Sequence, residues 1–191
     1  MSEIVIESAS VERFGDVEHA LTGGGDGASC WCQWWMLRGK DWQTTTTGQR
    51  REMLRDDLRI APVSGLVAYA GGEAVGWVKV APRTAQPRIA HNRNLQQSPE
   101  PMDDPSVWAV TCFVVRREHR GEGIAGELLD AAVTHARRHG ARVIEGYPVD
   151  TTVKKTSSND LYHGALSTFL DAGFTEVARP APARPIVSLT V

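Results

Sequence analysis

The feature that most constrains this chain is a glycine-rich turn set between an unbroken apolar run and an amphipathic helix. Val107 to Val115 is apolar on both faces, which predicts a central strand covered from both sides. Gly121, Gly123 and Gly126 follow, and Ile124, Leu128, Ala132 and His135 or Ala136 recur at helical spacing until Gly140. A strand that enters a helix through glycines leaves the first helical amides without partners, with the positive end of the helix dipole behind them. Such a turn suits an anion of pyrophosphate type. Arg116, Arg117 and Arg120 add mobile positive charge at its rim. The bland reading is a plain glycine turn before a helix.

The elements around this turn set the fold class. Ile4-Val5-Ile6 reads as a strand, and Ser10 as the N-cap of a helix carrying Val11, Phe14, Val17 and Leu21 until Gly23-Gly24-Gly25. Thr46 with Gln49 forms a capping box that opens a helix with Leu54, Leu58 and Ala61 on one face. Pro62 stops it. Leu66 to Ala70 and Glu73 to Val80 flank Gly71-Gly72, a two-residue hairpin connection. Residues 82 to 106 hold five prolines among polar residues and read as a long surface loop. Arg142 to Tyr147 is a strand, and Ala165, Leu166, Phe169 and Leu170 share a helical face closed by Gly173. Phe174 to Ala178 and Ile186 to Val191 are the last two strands. Hairpins at the ends and one β-α-β crossover in the middle give an α+β, mixed-sheet domain, taken here as one unit over residues 1–191.

Composition narrows the function classes. With 41% hydrophobic and 23% charged residues over 191 positions, the chain can bury a core. A net charge of -2 provides no global field for nucleic acid or an anionic membrane, so neither is expected as a partner. The run Val107 to Val115 is too short to span a bilayer, and the acidic start is no secretory signal. Three cysteines are too few for a disulfide scaffold, so a reducing cytoplasm is the expected location.

Three phosphate-loop readings compete. A Walker loop needs Gly-Lys-Ser/Thr, which is missing here. A dinucleotide fingerprint is formally present in Gly121, Gly123 and Gly126, with Glu145 about 20 residues on, where an acid would hold a ribose. Against it, five polar residues separate the strand from Gly121, and the chain offers a single β-α-β unit. An NAD- or NADP-dependent oxidoreductase is therefore the alternative. The third reading fits more of the chain. Arg120-Gly121-Glu122-Gly123-Ile124-Ala125 resembles the Arg/Gln-x-x-Gly-x-Gly/Ala signature of the GNAT superfamily of acyl-CoA-dependent N-acetyltransferases. The helix ending in Gly173-Phe174 resembles that family's second signature.

The resemblance implies a twisted, mostly antiparallel central sheet with one parallel β-α-β crossover and helices on both faces. It implies transfer of an acetyl group from acetyl-CoA to an amine, on a small molecule or a peptide, by direct attack in a ternary complex. The backbone of Phe113, Val114 and Val115 would hold the pantetheine arm. Arg120 and the loop Gly121, Glu122, Gly123, Ile124, Ala125 and Gly126 would hold the pyrophosphate. Members are often dimers, so a homodimer is expected.

The chain departs from the family pattern at the acid. Phe169 stands where many members have tyrosine, which leaves Tyr162 and Tyr147 as phenol candidates. Glu145 is the first candidate base; Asp103, Asp104, Asp150 and His91 are others. These departures keep open a catalytically degenerate acyl-CoA-binding module. In the family arrangement Trp31, Trp34 and Trp35 would line the acceptor side, suiting an apolar or cationic amine; plain packing of the first helix is the competing reading. Cys30-x-Cys32 supplies two ligands only, so no metal is expected, and Cys112 on the central strand reads as packing rather than a nucleophile.

Overall fold

The hairpin at Gly71-Gly72 shows how local chemistry seeds the sheet. Both glycines take positive φ, 57° and 87°, the geometry of a type I′ turn whose twist matches the strands it joins. The computed structural model describes residues 3–153, 156–157 and 159–191; Met1 and Ser2 of the acidic N-terminal stretch lie outside them. Strands β1 (Ile4–Ser8), β2 (Gly65–Ala70), β3 (Glu73–Pro82), β4 (Val107–Val115), β5 (Val143–Gly146), β6 (Thr175–Ala181) and β7 (Arg184–Thr190) form one sheet in the order β1-β2-β3-β4-β5-β7-β6. Among these seven strands only β4 and β5 pair in parallel. Their crossover is helix α6, Ile124–Arg138, in the numbering α1 (Phe14–Thr22), α2 (Gly27–Cys30), α3 (Gly39–Thr44), α4 (Thr47–Asp57), α5 (Pro87–Ala90), α6 and α7 (Leu166–Asp171). This is the mixed, mostly antiparallel architecture expected. No helix of the described residues is long and apolar enough to cross a membrane.

Helices cover both faces. Ile124, Leu128, Leu129 and Ala132 of α6 pack on Leu66, Val78 and Val110, while α1 and α4 bring Phe14, Leu21 and Leu54 against Val67, Trp77 and Cys112. The capping box of Thr46 and Gln49 is present at α4. Two details differ from the sequence reading. α1 starts one turn later than Ser10, which accepts a hydrogen bond from the Arg13 amide, and Ala61 lies exposed beyond the end of α4.

The expected surface loop over residues 82–106 is instead a packed segment. It folds into short helical turns at Arg83–Ala85, Pro87–Ala90 and Leu95–Gln97, and buries Arg83, Gln86, Ile89 and Leu95. Arg83 explains the packing, because a buried guanidinium must be paired. Its Nη1 donates to Glu145 Oε2 at 2.9 Å, and its Nη2 donates to the Glu100 and Pro101 carbonyls. Glu145 also accepts from the Ser98 and Tyr147 hydroxyls. The pair thus ties the segment to β5.

Phe169 of α7 fixes the other side of β5. Its ring fills the space beside two glycines: a Cβ on Gly146 would sit 2.2 Å from Phe169 Cε1, and one on Gly164 would sit 2.8 Å from Phe169 Cε2. Gly146→Ala is expected to cost about 1–3 kcal/mol through overpacking. Gly126→Ala, where nothing lies within 4 Å, should be neutral or stabilising by up to about 1 kcal/mol; thermal denaturation of the two variants checks both. Arg83→Met should cost about 3–5 kcal/mol by leaving Glu145 buried and unpaired, and adding Glu145→Gln should recover part of that loss in urea titrations.

Candidate active site

The glycine turn is built by backbone conformation, not by crowding. Gly121 and Gly123 have φ of 85° and 84°, a left-handed region that other residues enter at a cost, and Gly123 is the N-cap of α6. A Cβ at Gly121, Gly123 or Gly126 would meet nothing within 4 Å, so the loop faces open space. The amides of Gly121, Glu122, Gly123, Ile124 and Ala125 make no hydrogen bond among the described residues. They form an anion cradle at the positive end of a 15-residue helix. Arg120 Nε donates to the Val115 carbonyl at 3.1 Å and closes the loop on the end of β4. Arg116 is not the mobile rim charge expected. It is held by Glu118 and by the His19 carbonyl.

Beside the cradle the sheet opens. Pairing of β4 with β5 covers only Val107–Val110 against Val143–Gly146, so the rest of β4 has no strand on that edge. A bulge assists the parting. Val80 faces Val110 and Lys79 faces Cys112, leaving Thr111 unmatched on β4. The Thr111 carbonyl accepts from Trp35 Nε1 at 2.9 Å, and its hydroxyl donates to Gln86 at 2.7 Å. A cleft of about 840 Å³ results. It gathers Phe113, Val114 and Val115 with Arg120, Gly121, Gly123, Ile124, Ala125 and Gly126. Glu122 lies off its wall, beside His119 at 3.3 Å.

The aromatic segment closes the far end of the cleft. Trp31 and Cys32 both hold left-handed φ, 48° and 53°, a strained turn for side-chain-bearing residues. The turn sends Trp31 into the core beside Phe14 and Leu54, while Trp34, Trp35 and Trp42 face the cleft. Trp31 therefore packs, as the competing reading had it. The wall is also not free for a cationic amine, because the protein's own arginines cover it. The Arg88 guanidinium carbon lies 3.7 Å from the Trp34 ring centroid, and that of Arg50 lies 3.8 Å from Trp42. Cys112 lies with its Sγ 3.2 Å from Cys32 Sγ, both buried, although the two are distant in sequence. Its hydrogen bond to Cys32 and its burial push the Cys112 thiol well up, consistent with a packed thiol. Among the described residues no group of three His, Cys, Asp or Glu side chains could hold a metal.

Past Trp34 and Trp35 lies a second cavity of about 550 Å³, and Tyr162 lines both spaces. The Tyr162 hydroxyl makes no hydrogen bond among the described residues, and burial first, then the neighbouring Cys112, pushes it up to about 12. Tyr147 reaches the second cavity by its ring, but its hydroxyl donates to Glu145 at 2.8 Å. Glu145 is fully buried with both oxygens committed to Arg83, Ser98 and Tyr147. It lines neither space, so it meets neither an amine nor a ribose at the glycine loop. Asp104 is held down to about 2 by Ser106 and then Arg142, Asp150 is held low by Thr152 and Arg179, and Asp103 is exposed. His91 is on the second cavity's rim, its Nδ1 beside the Pro87 carbonyl at 2.8 Å. The sequence reading missed His163, which stacks on Tyr162 at 3.9 Å and is pushed down to about 3 by burial and then Arg184. It also missed Arg88 and Arg184. These three come from separate segments with no spacing pattern to join them.

Comparisons with known proteins agree with the fold. The acetyltransferase (GNAT) family profile matches residues 31–164. Similar folds include PaiA N-acetyltransferase of Thermoplasma acidophilum in complex with coenzyme A, at 12% identity, 99% coverage of both chains and a TM-score of 0.57. They include the GNAT domain of S. lividans PAT, at 18% identity, covering 97% of this chain and 89% of that one with a TM-score of 0.57. A GCN5-related N-acetyltransferase from Kribbella flavida matches at 15% identity, 98% of both chains and a TM-score of 0.54. No curated protein sequence matches. A profile spanning most of the chain, laid over the glycine loop and the parted strands, makes this protein a member of the GNAT acetyltransferase family.

Proposed function

We propose that this protein transfers an acetyl group from acetyl-CoA to the nitrogen of an amine that arrives through the second cavity. The observation that carries the reading is the cradle of unpartnered amides at Gly121–Ala125, set at one end of a cleft flanked by an unpaired strand edge. That pairing suits a long ligand with a pyrophosphate at one end and amide groups along its arm. A similar fold was solved with coenzyme A bound. The dinucleotide reading loses its ribose acid, because Glu145 is sealed against Arg83.

In such a transfer the amine nitrogen forms a bond to the acetyl carbon and gives up a proton to water, the carbon–sulfur bond breaks, and the sulfur takes up a proton from an acid that water then reprotonates. The residues of this chain divide that work. The β4 edge at Phe113–Val115 orients the arm, and the loop amides fix the pyrophosphate. Tyr162 donates the proton to the leaving sulfur. Its raised pKa keeps the phenol protonated through neutral pH, so it is an acid and not a base.

Acetyl-CoA and CoA are expected to raise the melting temperature, with NAD and NADP leaving it unchanged, since only a ligand of the folded state shifts it. Gly123→Glu should abolish the CoA shift by placing a carboxylate in the anion cradle; an unchanged shift in the folded variant would remove the site. Tyr162→Phe should lower kcat on the order of 10²-fold or more while leaving the CoA shift intact. Because burial pushes Tyr162 up to about 12, wild-type kcat should show no alkaline decline from this group up to about pH 10.

A further inference from the structure

The second cavity carries a charge pattern that the glycine loop does not explain. Arg38, Arg88, Arg93 and Arg184 line it, and no aspartate or glutamate does. None of the four forms an ion pair with a carboxylate among the described residues. By contrast, Arg179 on β6, next to this cavity's β7, is held by Asp150 and Glu176. Arg88 is half-buried, fixed by the Trp34 and Leu37 carbonyls and by the Trp34 ring, so its orientation is set before any ligand arrives. Arg184 is half-buried beside His163, while Arg38 and Arg93 are exposed at the rim. Gathering guanidinium groups around a concavity without counter-charge is unfavourable unless an anion completes it.

Resting on the acetyl-transfer reading, we infer that the acceptor is a small amine bearing an anionic oxyacid group, carboxylate or phosphate, which the four arginines hold while the amine points past Tyr162. The cavity of about 550 Å³ is of small-molecule size. Its aromatic walls at Trp35 and Tyr147 suit an apolar side chain between the charged ends. Specificity then comes from planar, bidentate recognition by guanidinium. The same charges act on the amine. Like charge disfavours the ammonium form, so the cavity lowers the amine's own pKa and supplies the neutral nucleophile without a carboxylate base. That accounts for a site in which the candidate base Glu145 is sealed away and His163 stays neutral.

Matched primary amines test the class: α-amino acids, the corresponding α-aminophosphonates, and the same amino acids as amides. CoA release at fixed acetyl-CoA should give kcat/KM for the carboxylate or the phosphonate series on the order of 10- to 100-fold above the amides, the scale of charge-assisted hydrogen bonds. Whichever anionic series leads identifies the oxyacid. Arg184→Gln should remove most of that preference. Arg38→Gln with Arg93→Gln, both exposed and so harmless to folding, should raise KM for the anionic amines and not for the amides. Amides turned over as well as the acids by the wild type would overturn the inference while leaving acetyl transfer intact. Tryptophan fluorescence without acetyl donor separates the two readings: a saturable change with the anionic amine and not its amide supports the cavity assignment even if no transfer occurs. The same response to both, or to neither, overturns it.

Discussion

The parting of β4 from β5 is the constraint on which the rest of the site depends. Two parallel strands that stayed paired along their length would leave no free edge, and the glycine loop would face solvent with nothing beside it. Pairing ends after Val110 and Gly146, and contacts from both sides hold the gap. On β4, the unmatched Thr111 shifts the strand's parity, so that Val110 and Phe113, three apart, both face the α6 side. Its carbonyl is taken by Trp35 and its hydroxyl by Gln86. On β5, Gly146 accepts the ring of Phe169, and Glu145 beside it is pinned by Arg83. Glu145, the candidate base, and Phe169, which stands in place of the family's tyrosine, are therefore the anchor and wedge that set the shape of the cleft.

This division explains why a buried ion pair persists at Arg83 and Glu145. Such pairs seldom add net stability over a well-packed apolar alternative, because desolvation offsets the attraction. Here the pair fixes the relative position of a proline-rich segment and a short strand that share no ladder. The segment carries Gln86 to Thr111 and Arg88 to Trp34. One electrostatic contact at its base thus positions a bulge partner for the cleft and a cation for the second cavity.

Much of this was legible in the sequence, for identifiable reasons. The Gly71-Gly72 hairpin, the capping box at Thr46 and the glycine turn are local signals, in which a few neighbouring residues determine the backbone. The mixed-sheet fold class followed from the alternation of short strands and one amphipathic crossover. Side-chain partners across the sheet were not legible. Residues 82–106 looked like solvent-facing loop because proline and polar residues dominate, yet Arg83 finds Glu145 sixty-two positions away. Cys112 likewise meets Cys32 eighty positions away. Trp31 and Trp34 sit three residues apart in sequence, and only the left-handed turn at Trp31 and Cys32 sends one into the core and the other to the cleft.

The two ends of the site solve the same electrostatic problem by different means. At the glycine loop, positive potential comes from backbone amides and a helix dipole, which carry no side-chain entropy. At the second cavity it comes from guanidinium groups, two of them half-buried. An amide cradle suits an invariant ligand such as a pyrophosphate, whose shape never changes. Arginines on separate segments suit a ligand whose length must be measured, because each is anchored independently: Arg88 by carbonyls and a tryptophan face, Arg184 by β7. Between the two cationic ends stands Tyr162, un-ionised and without a competing hydrogen bond among the described residues. A phenol flanked by positive charge would ordinarily be pulled toward ionisation; burial prevails and keeps its proton in place. Under the proposed transfer, the arrangement would favour neutral amine and protonated phenol together, the two states that direct attack requires.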